Sequence, residues 1–159
     1  MKKLIFLILN IFLFNIAYAE SMKMIGKPGK IENVTRIINI KLYDNYFEPK
    51  NIQAKKGETI LFNIENLGEL VHEYSIATKK MHIKHQPEML ELFNKNIITA
   101  TKIDKEKIKF VHSHKNSVLL EPQEEKKIIW KFDTTINLQA ACNVPGHYEA
   151  GMVGDINLN

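Results

Sequence analysis

The chain has one cysteine, Cys142, so no disulfide can form within it. That excludes the small exported scaffolds that rely on disulfide frameworks instead of a hydrophobic core. Glycine and proline are scarce, at 7 and 5 of 159 residues, which excludes collagen-like and low-complexity chains. A strong excess of one charge is also missing: 22 Lys and Arg face 18 Asp and Glu, for a formal +4. So mild a balance gives no footprint for nucleic acid. No internal repeat is visible. Apart from one stretch near the N-terminus there is no long apolar run, so stable membrane insertion is not expected.

The one apolar run, residues 4–14, comes after Lys2 and Lys3 and precedes Ala17-Tyr18-Ala19. This is the pattern of a cleavable secretory signal over residues 1–19, too short and wrongly flanked for a membrane span. Its removal takes two lysines, leaving 20 basic against 18 acidic residues, and the mature chain is expected to start near Glu20. With no cysteine at the cleavage point, no lipid anchor is expected either. Export points to the periplasm. Residues 20–34 are rich in Lys, Gly and Pro with little apolar periodicity, and read as a flexible leader. Residues 35–159 then form one domain.

Within that domain the periodicity is mostly two. Residues 35–42 alternate with Ile38, Ile40 and Leu42 on one face, and residues 59–65 place Ile60, Phe62 and Ile64 together. Further strands are expected at 71–76, 127–132, 137–141 and 154–158. Residues 77–118 interrupt the pattern: Pro87 suits the first turn of a helix, and Met89, Leu90, Leu92 and Phe93 give the segment after it an apolar face. Seven or eight strands with no strong helix outside this insertion predict an all-β, antiparallel sandwich of two sheets.

The chemistry concentrates in residues 140–156, where Cys142, His147 and Met152 stand at equal spacing. A thiolate, an imidazole and a thioether on one loop select copper over oxygen-seeking Mg²⁺ or Ca²⁺ and over structural zinc, which takes Cys and His. A lone cysteine in an exported chain also needs a reason, and metal ligation supplies one. Pro145-Gly146 is a turn pair that folds His147 back towards Cys142. A second imidazole would complete a trigonal His-Cys-His plane with axial Met. His72, near the start of the 71–76 strand, is the candidate.

With those residues in view, the chain resembles the cupredoxins, the type 1 blue copper proteins related to plastocyanin and azurin. The Cys-x4-His-x4-Met spacing looks like their longer copper-binding loops. Phe47-Glu48-Pro49, Gly57-Glu58-Thr59, Asn66-Leu67-Gly68 and His72 look like the run that leads to their first copper histidine. The resemblance implies a Greek-key β-sandwich holding one type 1 copper through His72, Cys142, His147 and Met152. It also implies one-electron transfer rather than enzymatic turnover, because four protein ligands leave no position for substrate. The edge of His147 would then meet a transient redox partner amid Pro145, Gly146, Tyr148 and Ala150, the chain itself being a monomer. Many relatives carry Asn directly after the first histidine, whereas this chain has Glu73, which puts the usual side-chain clasp in question.

The insertion holds Met81, His82, His85, Met89, His112 and His114. Met and neutral His are ligands for Cu(I), and Met81, His85 and Met89 would share a face if a helix ran unbroken past Pro87, which argues against that continuity. The simpler reading packs the methionines onto the sandwich and leaves the histidines solvated. A second Cu(I) site here would favour a copper-handling protein, for tolerance or delivery, over an electron carrier.

Overall fold

The computed structural model describes residues 24–159; the expected signal segment, residues 1–19, lies outside them. Ten strands and two helices run in the order β1 Lys27–Pro28, β2 Arg36–Tyr43, β3 Tyr46–Glu48, β4 Ile52–Ala54, β5 Thr59–Asn66, β6 His72–Ala77, α1 Lys79–Asn94, α2 Lys105–Val111, β7 Ser117–Leu120, β8 Glu125–Lys131, β9 Leu138–Ala141 and β10 Val153–Leu158. They make two five-stranded sheets, ordered β1-β8-β5-β2-β3 and β4-β10-β9-β6-β7.

The period-two runs give the inner faces. Ile40 and Leu42 of β2, Ile60, Phe62 and Ile64 of β5, and Ile128 and Trp130 of β8 are all buried against the opposing sheet. Removing each such side chain from water contributes about 1.5–3 kcal/mol. Every residue of β6 is buried, because the strand is internal to its sheet and the insertion covers its outer face.

The sheets are not purely antiparallel as expected. β2 pairs in parallel with β5, and β4 in parallel with β10. Both pairs are joined through the other sheet rather than by a hairpin, which is how a Greek-key sandwich brings parallel neighbours together without a crossover helix. The expected leader differs as well. From Ile25 on it belongs to the sandwich: Ile25 is fully buried, β1 pairs with β8, and the Trp130 indole N–H donates to the Ile25 carbonyl at 3.0 Å.

The insertion is helical as expected, but Pro87 does not begin its helix. Thr78 caps α1, its hydroxyl accepting from the Met81 amide at 3.2 Å, and Pro87 lies inside the helix. Proline removes the N–H that would bond the Ile83 carbonyl. Pro87 and Ile83 both lie on the exposed face, so the lost bond falls on the side of the helix away from the core. The helix therefore continues, and Met89 and Leu92 reach the core on its other side.

Candidate metal centre

His72 leads β6, Cys142 comes directly after β9 at the same end of the sandwich, and the loop between β9 and β10 brings His147 over both. Gly146 takes φ +88°, the left-handed position a Pro-Gly turn requires, and His147 N–H returns to the Val144 carbonyl at 3.0 Å. The loop closes on itself: Met152 N–H bonds the His147 carbonyl at 3.0 Å, and Cys142 N–H bonds the Met152 carbonyl at 3.1 Å. Met152 is fully buried beside them.

Three donor atoms converge. Cys142 Sγ lies 3.3 Å from His147 Nδ1 and 3.9 Å from His72 Nδ1, and the two Nδ1 atoms are 3.2 Å apart. His72 Nε2 donates to Asp44 Oδ1 at 3.0 Å, which fixes the tautomer and leaves Nδ1 as a bare lone pair facing the other donors. One sulfur and two ring nitrogens meeting at a single buried point are the donor set of a soft metal ion. Burial pushes both imidazoles below the ordinary histidine value, so they stand neutral and ligand-ready at pH 7. Burial also pushes the Cys142 thiol up to about 12, so its deprotonation must come from the metal itself.

Asp44 was not legible in the sequence, where residues 43–49 read only as a break. The structure makes it the hydrogen-bond partner of His72 Nε2, the kind of carboxylate that orients a metal-ligating imidazole. Its Oδ1 also accepts from the Glu69 and Leu70 amides at 2.9 and 3.1 Å. Burial alone would raise the Asp44 carboxyl, but the bonds from His72, Leu70 and Glu69 outweigh it and hold the group ionised. The approach is close enough to dictate Gly68: a Cβ there would stand 2.3 Å from Asp44 Oδ1 and 3.0 Å from His72 Nε2. Asn66 shapes the same loop, taking the Gly68 amide at 3.0 Å and donating to the Leu70 carbonyl at 2.8 Å. An acidic residue two positions past a strand of β-branched residues, facing an Asn-x-Gly loop, is the signal that could have found it.

Glu73 resolves the question its identity raised. Its backbone N–H donates to Cys142 Sγ at 3.3 Å, a bond that any side chain at this position would leave in place. The side-chain clasp survives with its partners exchanged: Glu73 Oε2 accepts from the Asn143 backbone and side-chain N–H groups, at 3.2 and 2.6 Å. Its Oε1 accepts from Ser117 Oγ, and His85 Nε2 and His112 Nε2 stand 3.2 and 3.3 Å from it. These polar neighbours keep the fully buried carboxyl well below the ordinary glutamate value, although burial itself acts to raise it.

The insertion's histidines divide. His82 is a satisfied core residue: Nε2 donates to the Gln139 carbonyl and Nδ1 accepts from Asn143, both at 3.2 Å. His85, His112 and His114 are half-buried rather than free in solvent, gathered beside Glu88, each offering a ligand-capable atom within 4.8 Å of the others. The methionines stand apart from them, Met89 fully inside the core and Met81 packed against it.

The fold and the convergent donors define a copper-binding β-sandwich. The chain belongs to the plastocyanin/azurin family of copper binding proteins, whose family model matches residues 37–159. Among characterised relatives it is similar to the copper-resistant cuproprotein CopI of Pseudomonas aeruginosa. The two are 37% identical over 147 residues, which is 84% of this chain and 81% of that protein. The protein of the same name from Vibrio cholerae is 27% identical over 87% of this chain and 75% of its own length. Among solved structures, dithionite-reduced auracyanin of Roseiflexus castenholzii superposes with a TM-score of 0.59 at 18% identity, covering 79% of this chain and 97% of that one. An azurin from Methylomonas sp. strain J gives 0.57 at 14% identity, covering 79% and 99%. At those identities the structures speak for the fold. No helix among the described residues is long and apolar enough to cross a membrane.

Proposed function

We propose that His72, Cys142, His147 and Met152 hold one type 1 copper and that the protein works as a one-electron redox carrier rather than an enzyme. The observation that carries this reading is the closed donor set: Sγ and two Nδ1 atoms within 3.9 Å of one another, with the loop of buried Met152 hydrogen-bonded to both Cys142 and His147. Bound copper would supply a Cu(II)/Cu(I) couple. The chain's part is to hold the ligands so that neither state rearranges them. β6 and β9 fix two ligands, Asp44 orients His72, and the Glu73 amide bonds the sulfur and tunes the potential. His147 is half-buried on the loop surface with exposed Gly146 and Ala150 around it, a small contact suited to a brief encounter with a redox partner. Export to the periplasm by the residue 1–19 signal completes the reading.

A second reading, copper handling for tolerance, has its own support in the relatives named copper-resistant cuproproteins and in the second cluster of histidines. The first experiment is a Cu(II) titration of the metal-free protein monitored by visible absorption, with Cys142→Ala alongside. An intense thiolate-to-copper band at one equivalent, absent in the variant, is expected. A colourless complex, or a spectrum indifferent to Cys142→Ala, overturns the type 1 assignment.

A further inference from the structure

Glu73 sits on β6 between two neighbourhoods. Successive side chains of a strand point to opposite faces, so His72 turns towards Cys142 while Glu73 turns towards the insertion. There the carboxylate meets His85 Nε2 and His112 Nε2, which are 3.3 Å from each other. Glu88 closes the far side, its Oε2 on His85 Nδ1 at 3.2 Å and its Oε1 on His114 Nε2 at 3.1 Å. The three rings pack within 5.2 Å of one another, centroid to centroid. Two carboxylates, Glu73 and Glu88, face the three rings, so the cluster is built to hold positive charge at its centre. No sulfur takes part, since Met89 is in the core and Met81 packs against it. Three imidazoles and a carboxylate are donors for a borderline divalent ion, and Cu(II) heads the affinity order for such sets. The alternative of a methionine-based Cu(I) site is thus not the one the side chains build.

We propose that His85, Glu88, His112 and His114 form a second metal site, for a divalent ion of the Cu(II) or Zn(II) class, and that Glu73 couples it to the copper at Cys142. The physical link is short. The Glu73 carboxylate touches two imidazoles of the second site and grips the Asn143 amide, while the Glu73 amide bonds Cys142 Sγ. A cation drawing on His85 and His112 changes the charge and hydrogen bonding felt by Glu73, and so the bonding around the sulfur. Glu73 is here a positioning residue and not a ligand. The coupling rests on the type 1 reading above; the second site does not.

The test begins with protein carrying one equivalent of Cu(II), titrated with Zn(II), which is colourless and redox-silent, while calorimetry counts the zinc and absorption tracks the thiolate-to-copper band. One further equivalent and a shift of the band are expected, and the double variant His112→Ala/His114→Ala should lose that equivalent. In Glu73→Gln the shift per zinc bound should fall several-fold. No uptake beyond the copper, equal uptake in the double variant, or bleaching of the band in place of a shift overturns the second site. An undiminished shift in Glu73→Gln overturns the coupling. To separate these failures from failure of the type 1 reading, Cys142→Ala is compared with Cys142→Ala/His112→Ala/His114→Ala. Zinc uptake should still differ by one equivalent, and equal uptake again overturns the second site.

Discussion

Asp44→Asn isolates the charge behind His72. Asparagine keeps an oxygen at the same place, so it can still accept from His72 Nε2 and from the Glu69 and Leu70 amides that now lie 3.0, 2.9 and 3.1 Å away. What goes is the carboxylate, and charge-assisted bonds are roughly twice as strong as neutral ones. Loss of an outer partner of a metal-bound histidine costs about 10–100-fold in metal affinity. With the loop geometry retained, the lower end applies: about tenfold, or about 1.4 kcal/mol. Asp44→Ala, which also strips two loop amides of their acceptor, should approach the upper end, about 100-fold. The assay is competition for Cu(II) against a chelator of known affinity at fixed pH. Affinity of Asp44→Asn within twofold of the unaltered protein would refute the role given to the charge. An alanine variant no weaker than the asparagine one would refute the role given to the loop.

Gly68→Ala should harm the site through the same atoms, because its methyl would sit 2.3 Å from Asp44 Oδ1; copper affinity should drop about as far as in Asp44→Ala, and an unchanged affinity in the competition assay would contradict the close approach. Trp130→Phe leaves the buried Ile25 carbonyl without its donor, at about 2 kcal/mol. The melting temperature should then fall by about 4–8 °C, and a negligible change would mean that residues 24–28 are not bound to the sandwich. In metal-free protein the Cys142 thiol, buried and pushed up to about 12, should resist iodoacetamide at mildly alkaline pH until guanidinium unfolds the chain; labelling at the pace of a free thiol would count against that burial. Asp104 caps α2, and the Lys107 side chain and amide hold its carboxyl below the ordinary aspartate value. A lowered folded value means the contribution is present above the unfolded value and lost as pH falls through the folded one, so α2 amide signals monitored by NMR should change in acid below the normal aspartate titration, and their changing at or above it would contradict the cap.

The loop of the candidate metal centre was readable because its chemistry is local. Cys142, His147 and Met152 are tied by a turn within a few residues, so spacing and ligand type carry the information without the fold. His72 is 70 residues away from Cys142; the loop's want of a second imidazole and the family resemblance together pointed from one to the other. The inner faces of β2 and β5 were readable for a different reason, since one buried and one wet face leave a period of two in Ile38, Ile40 and Leu42 and in Ile60, Phe62 and Ile64. Asp44 escaped because a carboxylate in a turn looks the same whether it meets water or His72. The parallel pairings escaped because alternation reports which face is buried and not which neighbour lies alongside. In the insertion, Pro87 misled, since a helix interrupted on its exposed face loses one bond and not its course. Gathering His85 on α1 with His112 and His114 beyond α2 required those helices to be placed first.

The excursion between β6 and β7 leaves and returns at one spot. Ser75 faces Ser117 in the ladder, Ile76 N–H bonds the Asn116 carbonyl at 2.9 Å, and the Asn116 side chain returns a bond to the Ile76 carbonyl at 2.9 Å. In connectivity the segment is a module: its two ends are close enough that a short turn could join them without moving either strand. In solvation it is a roof, and under it lies the Glu73 carboxylate, met from above by two of the module's imidazoles. Shedding the module would therefore demand a compensating change at Glu73, to a residue that needs no cationic or imidazole company. In this chain the roof and the residue after the first histidine thus belong together, each completing the other's hydrogen bonds.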